Sequence, residues 1–259
     1  MKFSLLVDSV IDSPYPIPLV PANVVAGDKT YLDKVELDTE KVVEMLQSGI
    51  KLTTAAMSPR RIIEAVKRMR EPVLMLTVSR ELSGIYRAAV VAARLSRKKL
   101  VVFDTPSVSI GSGLLACVAF EMQNEGRSVE EVLAELEKLR EKVNVLVMLG
   151  TLKYIGMSGR VPELIGRVGD MMGLRPIISL RRGKVSLWKL VRNFEKGVEL
   201  MAKKAKGRVL TAHIKAKNGV EKLEALLEEK GVTFQRVENV SAALAVHVGP
   251  GAVGVSFFE

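Results

Sequence analysis

The chain has 259 residues, 48% of them apolar, which is enough to fill proper cores and excludes a disordered protein. Its longest apolar stretches, such as Val73 to Val78 and Ala242 to Val246, fall far short of the roughly 20 residues that cross a bilayer, and a single cysteine, Cys117, excludes an internal disulfide and fits a reducing compartment. The net charge of +10, from 39 Lys and Arg against 29 Asp and Glu, admits nucleic acid, membrane surfaces and anionic small molecules as partners without choosing among them.

In chain order, Phe3 to Val7 reads as a strand, too short and too soon interrupted by Asp8 for a secretory signal, so the expected location is cytoplasmic. Helical patterns follow at Glu40 to Gln47 and Pro59 to Met69, then a strand at Pro72 to Val78, a helix at Ile85 to Leu95, a strand at Leu100 to Phe103 and a helix at Ile110 to Gln123. Ser128-Val129-Glu130-Glu131 makes a capping box ahead of an apolar stripe at Val129, Val132, Leu133, Leu136 and Leu139, and Val143 to Leu149 reads as the next strand. This alternation predicts an α/β domain on a largely parallel sheet. From Gly150 to Gly159 the pattern changes, and Ile177 to Leu180, Val185 to Leu187, Val209 to Ile214, Thr233 to Val237 and Val253 to Phe257 read as strands interrupted by helices at Glu195 to Lys206 and Gly219 to Glu229. The expected fold class is therefore α/β in two domains: residues 1–150 as a three-layer α/β/α domain, and 151–259 as a two-layer α/β domain with a mixed sheet. No linker rich in Pro, Gly or Ser separates them, which favours a rigid interface and a ligand cleft there.

Hydroxyl groups gather at predicted strand ends: Asp8-Ser9, Thr53-Thr54 ahead of Ser58-Pro59, Ser83-Gly84, and Asp104-Thr105. In open α/β sheets ligands sit outside the carboxyl ends of the strands. Helix capping competes with that reading for Ser9, Ser58 and Ser83. A hydrolase nucleophile elbow needs glycine two residues either side of the serine, where Ser83 has Glu81 and Ile85, so Ser83 suits a neutral hydrogen-bond donor to a carboxylate better than a nucleophile. The terminal His247-Val248-Gly249-Pro250-Gly251-Ala252-Val253-Gly254 also spells GxGxxG, but a dinucleotide site needs a following helix and an acidic residue about 20 positions on, and five residues remain. A tight turn carrying a histidine at a ligand-facing corner is the expectation. Gly111-Ser112-Gly113 reads as close helix packing, Cys117 as a small buried hydrophobe and His213 as structural; two histidines and one cysteine give no zinc signature. Met57, Met75, Met148, Met157, Met171 and Met172 read mostly as core filler, while Arg160 and Arg192 stand where a guanidinium could close over an anion. Two other functions stay open: a phosphotransferase or hydrolase using Asp8, Ser83, Asp104 and His247, and a nucleic-acid-binding protein supported by charge alone.

Taken in order, these segments resemble the DegV family of bacterial fatty-acid-binding proteins over essentially the whole chain. Asp8-Ser9 is similar to a DS motif, Thr53-Thr54 with Ser58-Pro59 to TTSQPSP, Leu82-Ser83-Gly84-Ile85-Tyr86 to LSGTY, and Asp104-Thr105 with Ser109, Gly111 and Gly113 to DSxxxSxGxG. Leu152-Lys153-Tyr154-Ile155 with Gly159-Arg160-Val161 resembles LxYLxxGGRI, Pro176-Ile177 resembles KPI, and His247 to Gly254 resembles HxGPGxxG. Ala55-Ala56, Met57, Arg80 and Ile85 depart from the pattern. The resemblance implies a carrier, with no cofactor and no catalysis of its own, that holds a long-chain fatty acid such as palmitate in an apolar tunnel between the domains. It also implies a separate fatty acid kinase as partner, no nucleic acid, and transient contact with a membrane without insertion. By residue-wise carry-over Thr54, Ser83 and the Gly84 amide would bind the carboxylate, with Thr53, Arg160, Arg192 and His247 near it. Burial of about 15 methylene and methyl groups at about 0.8 kcal/mol each gives a gross driving force near 12 kcal/mol, less the cost of association, while a buried carboxylate needs several hydrogen bonds or a cation.

Overall fold

The computed structural model describes residues 2–159 and 174–259. A parallel sheet of order β2-β1-β6-β7 is built from β1 (Ser4–Asp8), β2 (Leu19–Val20), β6 (Val73–Thr77) and β7 (Leu100–Asp104). β6 is buried along its whole length, as a strand covered on both faces must be. On one face lie α2 (Pro59–Lys67) and α3 (Ile85–Leu95), and on the other α4 (Ile110–Asn124) and α5 (Val129–Leu139), which makes the expected three layers. The capping box forms as read, with Ser128 Oγ accepting from Glu131 N and Glu131 Oε2 accepting from Ser128 N.

The second sheet has order β10-β9-β8-β13-β11-β12, from β8 (Val143–Met148), β9 (Arg175–Arg181), β10 (Lys184–Val191), β11 (Val209–Ile214), β12 (Phe234–Val237) and β13 (Ala252–Phe258). It is mixed: β11 and β12 run parallel and the other neighbours antiparallel. The strand expected to close the first domain, β8, is in fact interior to this sheet, with β9 on one edge and β13 on the other. Its side chains alternate as a two-faced strand requires. Leu146 and Met148 join the core under α7 (Phe194–Lys204) and α8 (Lys217–Glu229), while Val145 and Val147 face the first lobe.

Besides the two-residue β2, a small sheet and two short helices escape the sequence pattern. A small antiparallel sheet of order β4-β3-β5 forms from β3 (Asn23–Ala26), β4 (Lys29–Leu32) and β5 (Leu52–Ala55), its hairpin turning at Gly27 with φ +57°. A short α6 (Lys153–Met157) follows β8, and α9 (Ala242–Val248) occupies the apolar stretch before the terminal glycines. Helix α1 (Thr39–Gln47) packs against α9. Among the described residues no helix is long and apolar enough to cross a membrane.

The lobes meet through α4, and glycine is what lets them. A Cβ on Gly111 would stand 2.4 Å from Val145 Cγ2, and one on Gly113 would stand 2.0 Å from the Asp12 carbonyl oxygen. The GxG of this helix is thus a close-packing device, as the sequence indicated.

Candidate functional site

A cavity of about 690 Å³ lies between the two sheets, in the size range that encloses a small organic ligand. Its floor is the inner face of the second sheet. Val145 and Val147 of β8, Ile178 and Leu180 of β9, and Ala212 and Ile214 of β11 all turn the same way, by the two-residue period of a strand. Small residues at Ala212, Ala252 and Gly254 leave the room: a Cβ on Gly254 would already reach Ile110 Cδ1 at 3.3 Å. The remaining walls come from the end of β5, the loop joining β6 to α3, the start of α4, and α6 and α9.

Polar groups gather where β5, the start of α3 and the end of α9 converge. Thr54 Oγ1 lies 2.8 Å from His247 Nε2, across 193 residues of sequence. Ser83 and Gly84 line the same wall, with the Cβ position of Gly84 3.8 Å from Ala56 Cβ. Ser83 Oγ accepts from Ile85 N at 3.3 Å, which leaves its proton free to point elsewhere. Gly84 is the N-cap of α3 and carries no side-chain cap, so this helix start presents backbone N–H groups. Arg80, Glu81 and Arg87 border the same end.

The structure therefore brings Thr54, Ser83, Gly84 and His247 together, but not Thr53 or Arg192. Thr53 alternates to the opposite face of β5 and is exposed; Arg192 is exposed just beyond β10 and does not reach the cavity wall. Arg160, Met171 and Met172 lie outside the described residues. His247 is not on the glycine turn but in the last turn of α9, which ends at Gly249 with φ +73°. A Cβ at Gly249 would fall 2.0 Å from the Tyr154 ring, and one at Gly150 2.5 Å from the Pro250 carbonyl oxygen, so the terminal glycines serve the crossing of two backbones. His213 borders the cavity, with its Nδ1 accepting from Ala216 N ahead of α8, and burial lowers its pKa. Met57, Met75 and Met148 are buried in the cores, whereas Met157, the last residue of α6, is 68% exposed and fills none, because the short helix turns that side chain outward. Cys117 is fully buried, and burial raises its thiol pKa.

The residues of the enzymatic alternative are engaged elsewhere. Asp104 accepts from Arg80 N and pairs with Arg80 Nε at 2.6 Å, which raises the pKa of that guanidinium. With His247 at Thr54 and Ser83 at Ile85 N, no Ser-His-Asp relay is assembled among the described residues. Asp8 is buried, its oxygens accepting from Val10 N and Val78 N, both on cavity-lining residues; burial pushes its pKa up to about 7. Among the described residues no three His, Cys, Asp or Glu side chains gather so as to hold a metal ion.

Sequence reading missed the group that aims His247. Asp33 is buried and accepts four hydrogen bonds, from Ser9 Oγ at 2.6 Å, Ser241 Oγ at 2.7 Å, Ala242 N at 2.8 Å and Ala243 N at 3.3 Å. Ser9 thus acts in the buried scaffold, and Asp33 ties down the start of the helix whose last turn carries His247. Asp12 extends the network to Ser241 N, Ser109 Oγ and Lys34 Nζ. Burial raises the pKa of Asp33. The available signal was Ser241 as N-cap with Gly249 eight residues on, a start and stop pair around an apolar run.

The geometry has close counterparts. A fatty acid-binding protein of Thermotoga maritima is 29% identical over 282 residues, spanning 98% of this chain and 96% of its own. A DegV family protein from Thermus thermophilus, described for its fatty acid binding, superposes with a TM-score of 0.88 at 27% identity, over 100% of both chains. The fatty acid kinase (Fak) B3 protein of Streptococcus pneumoniae, loaded with linoleic acid, has the same fold, with a TM-score of 0.89 at 21% identity over 100% of this chain and 99% of its own. The family model described as "uncharacterised protein, DegV family" matches residues 4–259, and the chain belongs to that family.

Proposed function

We propose that this protein is a carrier that binds one long-chain fatty acid, of the palmitate class, with its acyl chain in the 690 Å³ cavity and its carboxylate at the Thr54, Ser83, Gly84 and His247 end. The observation that carries the reading is the division of the cavity: an aliphatic floor from the second sheet and hydroxyl, imidazole and amide groups gathered at one end. Thr54 has one O–H and two lone pairs. With His247 Nε2–H donating to Oγ1, the threonine proton is released for an acid group, and the Ser83 hydroxyl and the Gly84 amide supply further neutral donors. Such donors stabilise a buried carboxylate without attacking it. The fatty acid-binding relatives at 27% to 29% identity support the same ligand class.

In this reading the two domains meet at Arg140–Lys142, ahead of β8 and not near residue 150, and the ligand lies between them. The carboxylate is presented to a separate fatty acid kinase, the partner implied by the family resemblance. Gly84 is exposed beside the cavity, which gives such a partner access to the acid group. Organic extraction of the purified protein followed by lipid mass spectrometry tests the binding. The expected result is one equivalent of fatty acid, or uptake of one equivalent of added palmitate by the stripped protein; neither occurring rejects the carrier function.

A further inference from the structure

Strands β9 and β10 are joined by a two-residue turn, Arg182-Gly183, with φ +51° and +75°. Positive φ at both central residues is what lets so tight a hairpin follow the twist of its strands. Connecting turns ordinarily run over the surface, and Arg181, Arg182 and Lys184 are exposed, but Gly183 between them is buried. It is buried because it enters the first lobe. Gly183 N donates to the Pro106 carbonyl oxygen at 2.7 Å, in the segment that follows β7. A Cβ at this position would stand 3.0 Å from Ser79 Oγ and 3.4 Å from Glu81 Cγ, in the loop that joins β6 to α3. Beside it Arg182 Nε pairs with Glu141 Oε2 at 2.9 Å, just ahead of β8.

What the tip touches shapes the polar end of the cavity. The Ser79 carbonyl accepts from Leu82 N at 3.0 Å and from Ser83 N at 3.1 Å, Ser79 Oγ accepts from Glu81 N at 3.3 Å, and Ser79 N donates to the Ser107 carbonyl at 2.8 Å. The turn over 79–83 is thus folded around Ser79, which is buried, and Ser83 and Gly84 leave it to open α3. A shift of Ser79 carries the Ser83 hydroxyl and the Gly84 N–H with it. The flanks of the same hairpin face the cavity: Leu180 and Val185, paired across its strands, line the wall next to the tip. One element therefore bears on the acyl space through its flanks and on the polar turn through its tip. Packing of lobe on lobe accounts for Leu180 and Val185, which bury apolar surface. It does not account for a left-handed glycine set so near a polar turn that a methyl group there requires Ser79 to give way.

We propose that Gly183 is a positioning residue for the carboxylate site, an assignment that rests on the fatty-acid reading of the cavity: bearing on Ser79 from the second lobe, it holds the turn over 79–83 in the conformation that aims the Ser83 hydroxyl and the Gly84 amide at the acid group. Coupling between two sites is reciprocal. An acid held by Ser83 and Gly84 therefore also holds the hairpin tip in place, and a chain of the same length without the acid group does not.

The test sets palmitate against hexadecanol, which has the same chain and no acid group. Equimolar amounts of both are offered from cyclodextrin to the full-length protein, and the bound lipids are extracted and their ratio read by mass spectrometry. Gly183→Ala adds one methyl group against Ser79 Oγ, outside the cavity wall. Gly126→Ala, at φ +76° with nothing within 4 Å of its Cβ, carries the same backbone strain and touches nothing. Misaiming hydrogen bonds to a charged group is expected to cut the acid-to-alcohol ratio of Gly183→Ala about tenfold, while Gly126→Ala keeps the wild-type ratio. Amide hydrogen exchange on the wild type tests the same coupling without a substitution, should Gly183→Ala not fold: the Gly183 N–H is expected to exchange at least about fivefold more slowly with palmitate bound than with hexadecanol bound. A wild-type ratio in folded Gly183→Ala, the same loss of ratio in Gly126→Ala, or equal exchange of the Gly183 N–H with either lipid overturns the assignment. Uptake of neither lipid by the wild type rejects the fatty-acid reading instead.

Discussion

Replacing Thr54 by Val and Ser83 by Ala removes two hydroxyls and almost no volume, which isolates the head-group contacts from the packing of the acyl chain. A hydrogen bond to a charged group contributes about 1.5–3 kcal/mol. Thr54 is expected near the lower bound, because His247, 2.8 Å from its Oγ1, remains beside the acid group. Together the two losses come to about 3–5 kcal/mol, or roughly two to three and a half decades in Kd at about 1.4 kcal/mol per decade. The gross apolar term near 12 kcal/mol is untouched, so the double variant should still bind at high ligand concentration but release faster. Titration with palmitate gives the affinity, and urea midpoints give the structural cost. That cost should be small for Thr54→Val and about 1 kcal/mol for Ser83→Ala, whose hydroxyl accepts from Ile85 N. Wild-type affinity in the folded double variant would refute the assignment of the carboxylate to this end of the cavity.

Other perturbations probe the scaffold and the cavity. Asp33→Ala leaves Ser9, Ser241, Ala242 and Ala243 without their shared acceptor; at about 1–3 kcal/mol for each buried group left unsatisfied, urea unfolding should show a loss of at least about 3 kcal/mol, and a change under 1 kcal/mol would contradict the network. Asp8 should make stability depend on pH. The folded protein keeps its proton up to about pH 7 while the unfolded chain releases it near 3.8, so the folded state binds more protons across that interval and stability falls as pH rises through it. The difference in stability between wild type and Asp8→Asn, followed from pH 4 to pH 8, should shrink with rising pH to about 7 and then level off; a flat difference speaks against a buried protonated carboxyl. Gly254→Leu projects a side chain into the cavity from a position where a Cβ already has Ile110 at 3.3 Å. Displacing about four methylenes costs about 3 kcal/mol for a long chain, so competition assays should shift preference toward shorter acids, and an unchanged chain-length profile would place the ligand elsewhere.

Much of this architecture was legible from local chemistry. The boundaries of α3 and β11 coincide with the residues read from the sequence, because each is set by an apolar period that local turns interrupt. The small sheet was not found: its three strands have four residues each, too few for alternation to stand out, although Gly27-Asp28 between two short runs is a hairpin signal. Helix α9 was overlooked because its apolar run is short enough to pass for a strand.

Sequence by itself determined most of the strands and helices, the close packing at Gly111 and Gly113 and the hydroxyls at strand ends, since these depend on φ and ψ, periodicity and capping within a few residues. Tertiary structure alone decided that β8 lies inside the second sheet, that Thr54 meets His247 across 193 residues while Thr53 and Arg192 stay outside, and that Asp33 anchors the helix between them. Those outcomes depend on long-range pairing and on the direction each side chain takes once its strand or helix is packed, and neither is encoded in local spacing.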